Sequence, residues 1–265
     1  GRGAITLMEE RLKAMNFSGP ARVVVQGAGT VGAQVMRELA NRGHKVIAVG
    51  DLQGAFFHAD GLSVKDLLAH RDLSGSVLGF TQAESIDPAE LMSLECDVLI
   101  PAAVSNQIHG RNANSIQAKL IVEAANGPIT AAGDASLCDR GIIIIPDLYA
   151  NAGGVTVSYF EWIKNLTHIR FGRMQRRQSE NQFQALIHGI ETMTGKEFPH
   201  TQHDTVVSGA TEIDLVRSGL EDTMLGAYDT ISEVWNTDSR VPDLRTAAML
   251  IAVGRVAHSY TSLGI

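Results

Sequence analysis

A glycine-rich segment between an apolar run and a helical pattern is the feature that most limits how this chain can fold. Residues 27–32 read G-A-G-T-V-G and directly follow the apolar run Ala21–Gln26. A second apolar run, Lys45–Gly50, ends at Asp51, which lies 51 − 32 = 19 residues beyond Gly32. A strand, a tight turn, a helix, a second strand and an acid in this order are typical of a βαβ unit that binds a dinucleotide.

The residues of this loop have separate physical roles in the predicted cofactor site. Gly27 permits the tight turn, Gly29 lets a pyrophosphate approach the backbone, and Gly32 lets the helix pack closely against the strand. Thr30 and Val31 begin the helix, whose free N–H groups and partial positive charge favour an anion. The alternative is a purely structural turn, followed by a solvated aspartate at a strand end.

Asp51 bears on which dinucleotide is preferred. Its carboxylate would accept a hydrogen bond from a ribose 2′-hydroxyl and would repel a 2′-phosphate. The next three residues, Leu52, Gln53 and Gly54, include no arginine or lysine that could receive a phosphate. The sequence therefore predicts NAD as the cofactor, in preference to NADP.

Three further apolar runs extend the predicted sheet. Asp97–Ile100, Lys119–Glu123 and Gly141–Ile145 are short and nearly uninterrupted, which suits parallel strands covered on both faces. They predict an α/β fold: a Rossmann-like, doubly wound, mostly parallel sheet with C-terminal helices packed on it. Because ligands bind such sheets at the carboxyl ends of the strands, we expect the loops after these runs to gather there.

The region between residues 54 and 94 carries weaker signals. Here we predict a helix over Ser63–Ala69, a short strand at Val77–Phe80 and a helix after Pro88. Two longer helical patterns near the C-terminus, about 211–235 and 242–262, predict helices that pack on the cofactor domain.

A second specific segment, residues 151–162, reads N-A-G-G-V-T-V-S-Y-F-E-W. Gly153 and Gly154 have no Cβ, so the backbone can approach a ligand closely, and Asn151 carries both a donor and an acceptor. A helix that begins beside these residues favours a polar, anionic ligand. The alternative is a glycine-rich turn into a core helix.

Composition and charge exclude several classes of protein. The formal net charge of −7 over 265 residues argues against a general nucleic-acid-binding protein. Cys96 and Cys138 form no C-x-x-C motif, and no apolar run approaches membrane-spanning length. We therefore expect a soluble cytoplasmic protein with reduced thiols, without membrane contact and without a nucleic-acid partner.

Two polar groups in the C-terminal part are interpreted as exposed surface. Four arginines are spaced as on one side of a helix: Arg170, Arg173, Arg176 and Arg177. They predict a solvated or interdomain face, with RNA or an acidic partner as the alternative. His200 and His203 lie beside Asp204 at a spacing that metal ligands can have, but the flanking residues indicate an exposed loop. We predict no metal site.

Together these segments resemble the C-terminal, cofactor-binding part of the glutamate dehydrogenases, within the glutamate/leucine/phenylalanine/valine dehydrogenase family. The resemblance covers essentially the whole chain, and its most specific part is P-D-L-Y-A-N-A-G-G-V-T-V-S-Y-F-E-W at 146–162. Ala124 departs from the family, which usually has glycine there. The other matching segments are G-A-G-T-V-G at 27–32, I-P-A-A at 100–103, E-A-A-N-G-P-I-T at 123–130, D-L-V-R-S-G-L-E-D-T-M at 214–224 and P-D-L-R-T-A-A at 242–248.

This resemblance implies oxidative deamination of L-glutamate to 2-oxoglutarate and ammonium, with hydride passing to NAD. It implies that Ala103 and Asn126 lie near the nicotinamide, with Ala102 as a further cofactor-binding residue. Asn151 would contact the nicotinamide or the edge of the substrate.

The resemblance also implies how the substrate is selected. Val155 and Ser158 would border the substrate side chain. In glutamate-specific members the residue that matches Ser158 hydrogen-bonds the distal carboxylate, whereas leucine-type members have an apolar residue there. The full-length enzyme would be a homo-oligomer.

The catalytic lysine of this family lies in a G-G-x-K-G motif of an N-terminal substrate domain. No lysine of this chain has that setting: Lys13, Lys45, Lys65, Lys119, Lys164 and Lys196. We therefore expect the substrate domain to be absent, no catalytic residue to be present, and the chain to be inactive alone. The predicted dinucleotide-binding domain has an opening helix at 1–18, a Rossmann-like core at 19–165 and a helical segment at 166–265.

Three alternatives remain open from sequence. The first is a stand-alone NAD-sensing or regulatory module that kept the cofactor fold, and the second is a dehydrogenase for another amino acid. The third, a short-chain alcohol dehydrogenase, is disfavoured because no tyrosine of the chain has a lysine four residues later.

Overall fold

Two compact units make up the part of the chain that the structure, a computed structural model, describes: residues 1–167, 173–199 and 211–264. The first unit comprises residues 1–153 and 224–265, and the second comprises residues 154–223. The predicted segment boundaries at residues 18 and 165 stay a prediction.

A seven-stranded sheet forms the centre of the first unit, counted over the described residues. Its strands are β1 (Arg22–Gln26), β2 (Lys45–Gly50), β3 (Ala55–Phe57), β4 (Glu84–Ile86), β5 (Val98–Pro101), β6 (Leu120–Val122) and β7 (Ile143–Ile145). Their order across the sheet is β4-β3-β2-β1-β5-β6-β7. Strands β2, β1, β5, β6 and β7 pair with their neighbours in parallel. At one edge of the sheet, β3 pairs antiparallel with β2, and β4 pairs antiparallel with β3.

The strand order contains a topological switch point between β1 and β5. The chain runs from β1 outward to β2 on one side, and later returns to the other side of β1 as β5. Loops that leave the two central strands therefore diverge, which opens a crevice at the carboxyl ends of β1 and β5. The predicted Rossmann-like, doubly wound sheet is confirmed.

Helices connect and flank these strands. In the first unit they are α1 (Arg2–Ala14), α2 (Thr30–Asn41), α3 (Val64–Ser74), α4 (Ala131–Asp139), α5 (Asp147–Ala150) and α9 (Leu244–Leu263). Helices α6 (Gly153–Thr167) and α8 (Glu212–Thr237) extend across the unit boundaries, and α7 (Arg173–Thr194) lies within the second unit. Helix α9 packs on β7 and α5, in agreement with the predicted C-terminal helix on the sheet.

The core of the first unit explains why its strands are apolar throughout. Val24, Leu99 and Ile121 occupy neighbouring strands, are fully buried, and pack in one cluster with Leu137 of α4. Successive strand residues point to opposite faces, so the flanking valines of β1 lie on the other face, where α2 packs. A sheet covered on both faces leaves no polar side of the strands.

The predicted strand at Val77–Phe80 is wrong. The chain forms bends and a turn here, and Gly75 and Gly79 have φ angles of +81° and +83°. These are left-handed backbone conformations, which end an extended run. The backbone N–H of Val77 donates to the Asp51 carboxylate instead of to a neighbouring strand.

The helix predicted after Pro88 is only a single 3-10 turn, Leu91–Ser93. The antiparallel strands β3 and β4 were not predicted. Each has three residues, too few to show the alternation by which a strand is recognised.

The second unit is helical in its described residues. Tyr159 and Trp162 of α6 stack with ring centroids 5.9 Å apart, and the Phe160 ring lies over Gly219 of α8. Ile187 of α7 is 4% exposed. Arg170, His200, His203 and Asp204 lie outside the described residues, as do the side chains of Arg173, Arg176 and Arg177.

Candidate functional site

The glycine loop meets the loop after β5 at the switch point. A Cβ on Gly27 would lie 2.9 Å from the carbonyl carbon and oxygen of Ala102 and from the Ala103 nitrogen, and the φ of Gly27 is +105°. The Ala102 N–H donates to the Gln26 carbonyl at 2.7 Å. Only glycine fits at position 27, since both the space and the backbone conformation exclude a side chain.

The other two glycines of the loop have opposite surroundings. A Cβ on Gly32 would lie 1.9 Å from the Gly27 carbonyl oxygen, so α2 packs directly on the turn. A Cβ on Gly29 would meet no atom within 4 Å. Gly29 is the N-cap of α2 and offers no side-chain acceptor to the first N–H groups, while Thr30 and Val31 are exposed. This open helix N-terminus fits a phosphate group.

Arg71 contacts this loop from outside it. From α3, its Nη1 donates to the Ala28 carbonyl at 2.8 Å and lies 3.4 Å from the Gly29 carbonyl oxygen. The guanidinium also bonds the Asp72 carboxylate. Arg71 therefore holds two loop carbonyls and brings a cation to the loop. No sequence signal connects it to residues more than 40 positions away.

The Asp51 carboxylate accepts four hydrogen bonds. One carboxylate oxygen accepts from the N–H groups of Gln53 and Gly54 at 2.8 and 3.1 Å. The other accepts from the Ser76 hydroxyl and the Val77 N–H, each at 2.8 Å. Burial raises the pKa of Asp51, but these hydrogen bonds outweigh it and lower the pKa below its usual range.

The four donors occupy all the acceptor positions that a carboxylate commonly uses. A ribose hydroxyl at Asp51 would therefore share an acceptor oxygen with a protein donor. The structure thus assigns Asp51 a structural role in addition to its predicted contact with the ribose, which stays a prediction.

Asn126, in the loop after β6, and Asn151, directly after α5, are two of the predicted nicotinamide contacts. The Asn151 amide donates to the Asn126 side-chain oxygen at 2.6 Å and lies 3.4 Å from the Ala125 carbonyl oxygen. The N–H groups of Ala124 and Ala125 donate to the Pro101 carbonyl at 3.0 and 2.9 Å. The structure thus brings Asn126 and Asn151 together beside the end of β5, where Ala102 and Ala103 follow.

A charged cluster lies directly behind this loop. The Arg245 guanidinium of α9 bonds the Glu123 carboxylate at 2.9 Å, the Asp134 carboxylate at 3.1 Å and contacts Asp147 at 3.4 Å. Glu123 is fully buried. The other Glu123 oxygen accepts from the Asp147 N–H at 2.7 Å, and Asp147 accepts from the Gly127 N–H at 2.7 Å.

Burial and charge act in opposite directions in this cluster. Burial raises the pKa of Glu123 above its usual range, although the hydrogen bond and the charge of Arg245 oppose the shift. Burial would lower the pKa of Arg245, but the hydrogen bond and the charges of Glu123 and Asp134 outweigh it and raise the pKa. Arg245 stays charged, and its removal would leave three carboxylates close together.

Asp134, Cys138 and Asp243 place one possible ligand atom each within 4.8 Å of one another. Their chemistry does not favour a metal ion. Asp134 already bonds Arg245, and Asp243 accepts from the Thr246 N–H at 2.6 Å. Burial raises the pKa of Cys138 to about 11, which keeps a thiol rather than a thiolate at this position.

The two predicted substrate residues belong to the second unit. Val155 is 75% exposed, and the Ser158 hydroxyl donates to the Gly154 carbonyl of its own helix at 3.0 Å. This bond within the helix leaves the hydroxyl oxygen available as an acceptor. Their role beside a substrate stays a prediction.

Across the described residues, no helix combines the length and the apolar character needed to span a membrane. The strand order, the switch point and the glycine loop together define a Rossmann-type α/β domain. The model of the Glutamate/Leucine/Phenylalanine/Valine dehydrogenase family matches residues 1–215. The chain belongs to this family. The resemblance seen in the sequence is thereby confirmed.

Individual relatives support the same assignment. A probable glutamate dehydrogenase of Sinorhizobium fredii (strain NBRC 101917 / NGR234) is 45% identical over 240 residues, which cover 89% of this chain and 54% of that protein. An NAD-specific glutamate dehydrogenase of Staphylococcus aureus (strain COL) is 43% identical over 164 residues, 62% of this chain and 39% of that protein.

Among solved structures, the hetero-hexameric glutamate dehydrogenase of Thermus thermophilus in its Leu-bound form matches with a TM-score of 0.77 and 26% identity. The match covers 99% of this chain and 52% of that one. The chain thus spans at most about half the length of these relatives.

Proposed function

We propose that this chain is the cofactor-binding part of an NAD-dependent glutamate dehydrogenase, which oxidises L-glutamate to 2-oxoglutarate and ammonium. The observation that carries the proposal is the open N-terminus of α2. Gly27 and Gly32 are held against backbone atoms, while Gly29 faces free space at the switch point. Family membership and the names of the relatives support the choice of reaction.

The residues of the chain have distinct tasks in this proposal. The backbone around Gly29 binds the pyrophosphate, and Asp51 faces the adenosine ribose. Asn126 and Asn151, with Ala103, orient the nicotinamide, which supplies the hydride acceptor. Positioning of this kind matters because hydride transfer needs reacting atoms about 3–3.5 Å apart. The catalytic lysine would come from a substrate domain that closes over this part and excludes water.

Two measurements on the purified chain test the proposal. NADH is titrated while its fluorescence is followed, and glutamate oxidation is assayed with NAD. We expect saturable NADH binding and no turnover. A folded chain that binds no NADH would refute the cofactor assignment, whereas turnover by the chain alone would refute the need for a second domain.

We expect Asp51→Asn to destabilise the chain by about 1–3 kcal/mol, because the amide cannot satisfy all four donors of the carboxylate. Since the pKa of Asp51 is lowered, its stabilisation is present above the unfolded-state pKa, about 3.9, and is lost as pH falls through the folded-state pKa. Urea unfolding at neutral and acidic pH measures both the loss of stability in Asp51→Asn and the pH dependence of the stabilisation.

The same variant tests the preference for NAD. Removal of the negative charge should raise the affinity for NADPH relative to NADH. Asp60→Asn, at an exposed aspartate, is the matched control and should change neither stability nor preference. An unchanged NADPH-to-NADH ratio in Asp51→Asn would contradict the role of its charge.

Arg71→Gln should weaken NADH binding about tenfold, because a hydrogen bond from a charged donor to the Ala28 carbonyl is lost at the phosphate loop. The free energy of unfolding should fall by about 1 kcal/mol, because the half-buried Arg71 side chain also loses its hydrogen bond within the fold. Lys65→Gln removes the same charge from the exposed side of α3 and serves as control. Equal losses in both variants would show a net-charge effect instead.

Ser158→Val in the complete enzyme should reduce kcat/KM for glutamate more than for apolar amino acids. The hydroxyl would hydrogen-bond the distal carboxylate of glutamate, and a site built for such a bond discriminates strongly. Equal loss for both substrate classes would count against Ser158.

We further propose that the complete protein is an oligomer, as the similar Thermus thermophilus enzyme is hetero-hexameric.

A further inference from the structure

The start of helix α9 is anchored so that Arg245 reaches the ends of β6 and β7. Asp243 caps the helix by accepting from the Thr246 N–H at 2.6 Å. Leu244 and Ala247 are 1% and 0% exposed, so the first turn is packed on both sides of Arg245. The Arg245 backbone therefore has little conformational freedom, and its guanidinium is held beside the Glu123 carboxylate.

A continuous chain of hydrogen bonds leads from Arg245 to the loop after β6. The guanidinium bonds Glu123 at 2.9 Å, and the other oxygen of Glu123 accepts from the Asp147 N–H at 2.7 Å. The Asp147 carboxylate accepts from the Gly127 N–H at 2.7 Å with one oxygen, and its other oxygen lies 3.4 Å from Arg245. Gly127 has φ +52° and directly follows Asn126, which bonds Asn151.

We propose that Arg245 is a positioning residue for the nicotinamide half of the cofactor. Its guanidinium keeps the Asp147 carboxylate turned toward the Gly127 N–H, and the loop after β6, held in this way, keeps Asn126 bonded to Asn151. This inference rests on the proposed binding of NAD.

The geometry explains why an arginine is needed. Three carboxylates, Glu123, Asp134 and Asp147, surround one cation and would repel one another without it. The planar guanidinium contacts all three at once, with different nitrogens in a fixed arrangement. A lysine ammonium keeps the charge but is a compact donor that cannot reproduce this arrangement. Arg245→Lys therefore changes the geometry while it keeps the charge.

The test compares two ligands that share the adenosine and the pyrophosphate. NADH reaches the loop after β6, whereas ADP-ribose lacks the nicotinamide ring. In Arg245→Lys we expect NADH affinity to fall about tenfold and ADP-ribose affinity to change less than about twofold. Arg255→Lys, on the exposed part of the same helix, should leave both affinities unchanged. Hydrogen exchange of the Gly127 amide should be about tenfold faster in Arg245→Lys than in the wild type.

The outcomes separate this inference from the proposed function. Failure of the wild-type chain to bind NADH would refute the proposed function, and the role of Arg245 would fall with it. If the wild type binds NADH, an unchanged affinity in Arg245→Lys overturns the role of Arg245 alone. Parallel loss of NADH and ADP-ribose would also overturn it, because general destabilisation weakens both ligands. Should Arg245→Lys not fold, Asp147→Ala removes the acceptor of the Gly127 N–H and is measured with the same two ligands.

Discussion

Replacement of Gly32 by alanine is expected to destabilise the first unit by about 3 kcal/mol or more and to abolish measurable NADH binding. The added Cβ would lie 1.9 Å from the Gly27 carbonyl oxygen, a backbone atom that cannot rotate away. Helix α2 must then move from the turn, and such overpacking commonly costs about 1–3 kcal/mol, occasionally more. Because α2 carries the proposed phosphate site, this movement also removes the binding geometry. Urea unfolding and NADH titration measure the two effects.

Gly29→Ala is the matched variant in the same loop. Its Cβ would meet no protein atom within 4 Å, and its φ of −69° is open to any residue. The free energy of unfolding should therefore stay within about 0.5 kcal/mol of the wild type. NADH affinity should nevertheless fall at least tenfold, since the methyl group would stand where the pyrophosphate approaches the backbone. Wild-type NADH affinity in Gly29→Ala would contradict the proposed phosphate position.

Arg245→Ala should cost about 3–5 kcal/mol of stability at pH 8, because it leaves a fully buried carboxylate without its cation. Glu123 loses its bond to Arg245, and Asp134 and Asp147 lose their shared counter-charge. The measurement is urea unfolding of the whole chain. Arg255→Ala, on the exposed part of the same helix, is the control and should change stability by less than about 0.5 kcal/mol.

The pH dependence of this loss has a definite sign. Burial already raises the pKa of Glu123, and Arg245 is the largest opposing influence, so its removal should raise this pKa further. A carboxyl group with a raised folded-state pKa holds its proton more readily in the native protein than in the unfolded chain. Stability is then retained below the unfolded pKa and lost as pH rises through the raised value. The loss in Arg245→Ala should accordingly be smaller at pH 5.5 than at pH 8; an equal loss at both would contradict burial of an ionised Glu123.

Much of the fold could be predicted because its signals are local. The apolar run, the three glycines and the acid 19 residues later specify one βαβ unit, and the structure has β1, α2 and β2 at those positions. The predicted C-terminal helices at 211–235 and 242–262 correspond to Glu212–Thr237 and Leu244–Leu263. Long periodic segments repeat their signal over several turns, so a local pattern suffices to recognise them.

Strands β3 and β4 could not be predicted in the same way. Strands β3 and β4 have three residues each and exist because they pair with β2 and with each other. The residues at Val77–Phe80 are apolar enough for a strand, yet the Asp51 carboxylate binds the Val77 N–H and holds a turn there. In both cases a partner outside the segment decides its local structure: strand pairing for β3 and β4, and the Asp51 carboxylate for Val77.

The sequence by itself determined the class of domain, the position of its glycine loop and the family to which the chain belongs. Only the tertiary structure decided which charged residues support the proposed cofactor site. Arg71 lies more than 40 residues from the loop carbonyls that it contacts, and Arg245 lies 122 residues from Glu123. Their side chains meet these partners only because the parallel sheet brings the carboxyl ends of its strands to one edge. No local sequence pattern predicts these contacts, since they depend on how the separate elements pack.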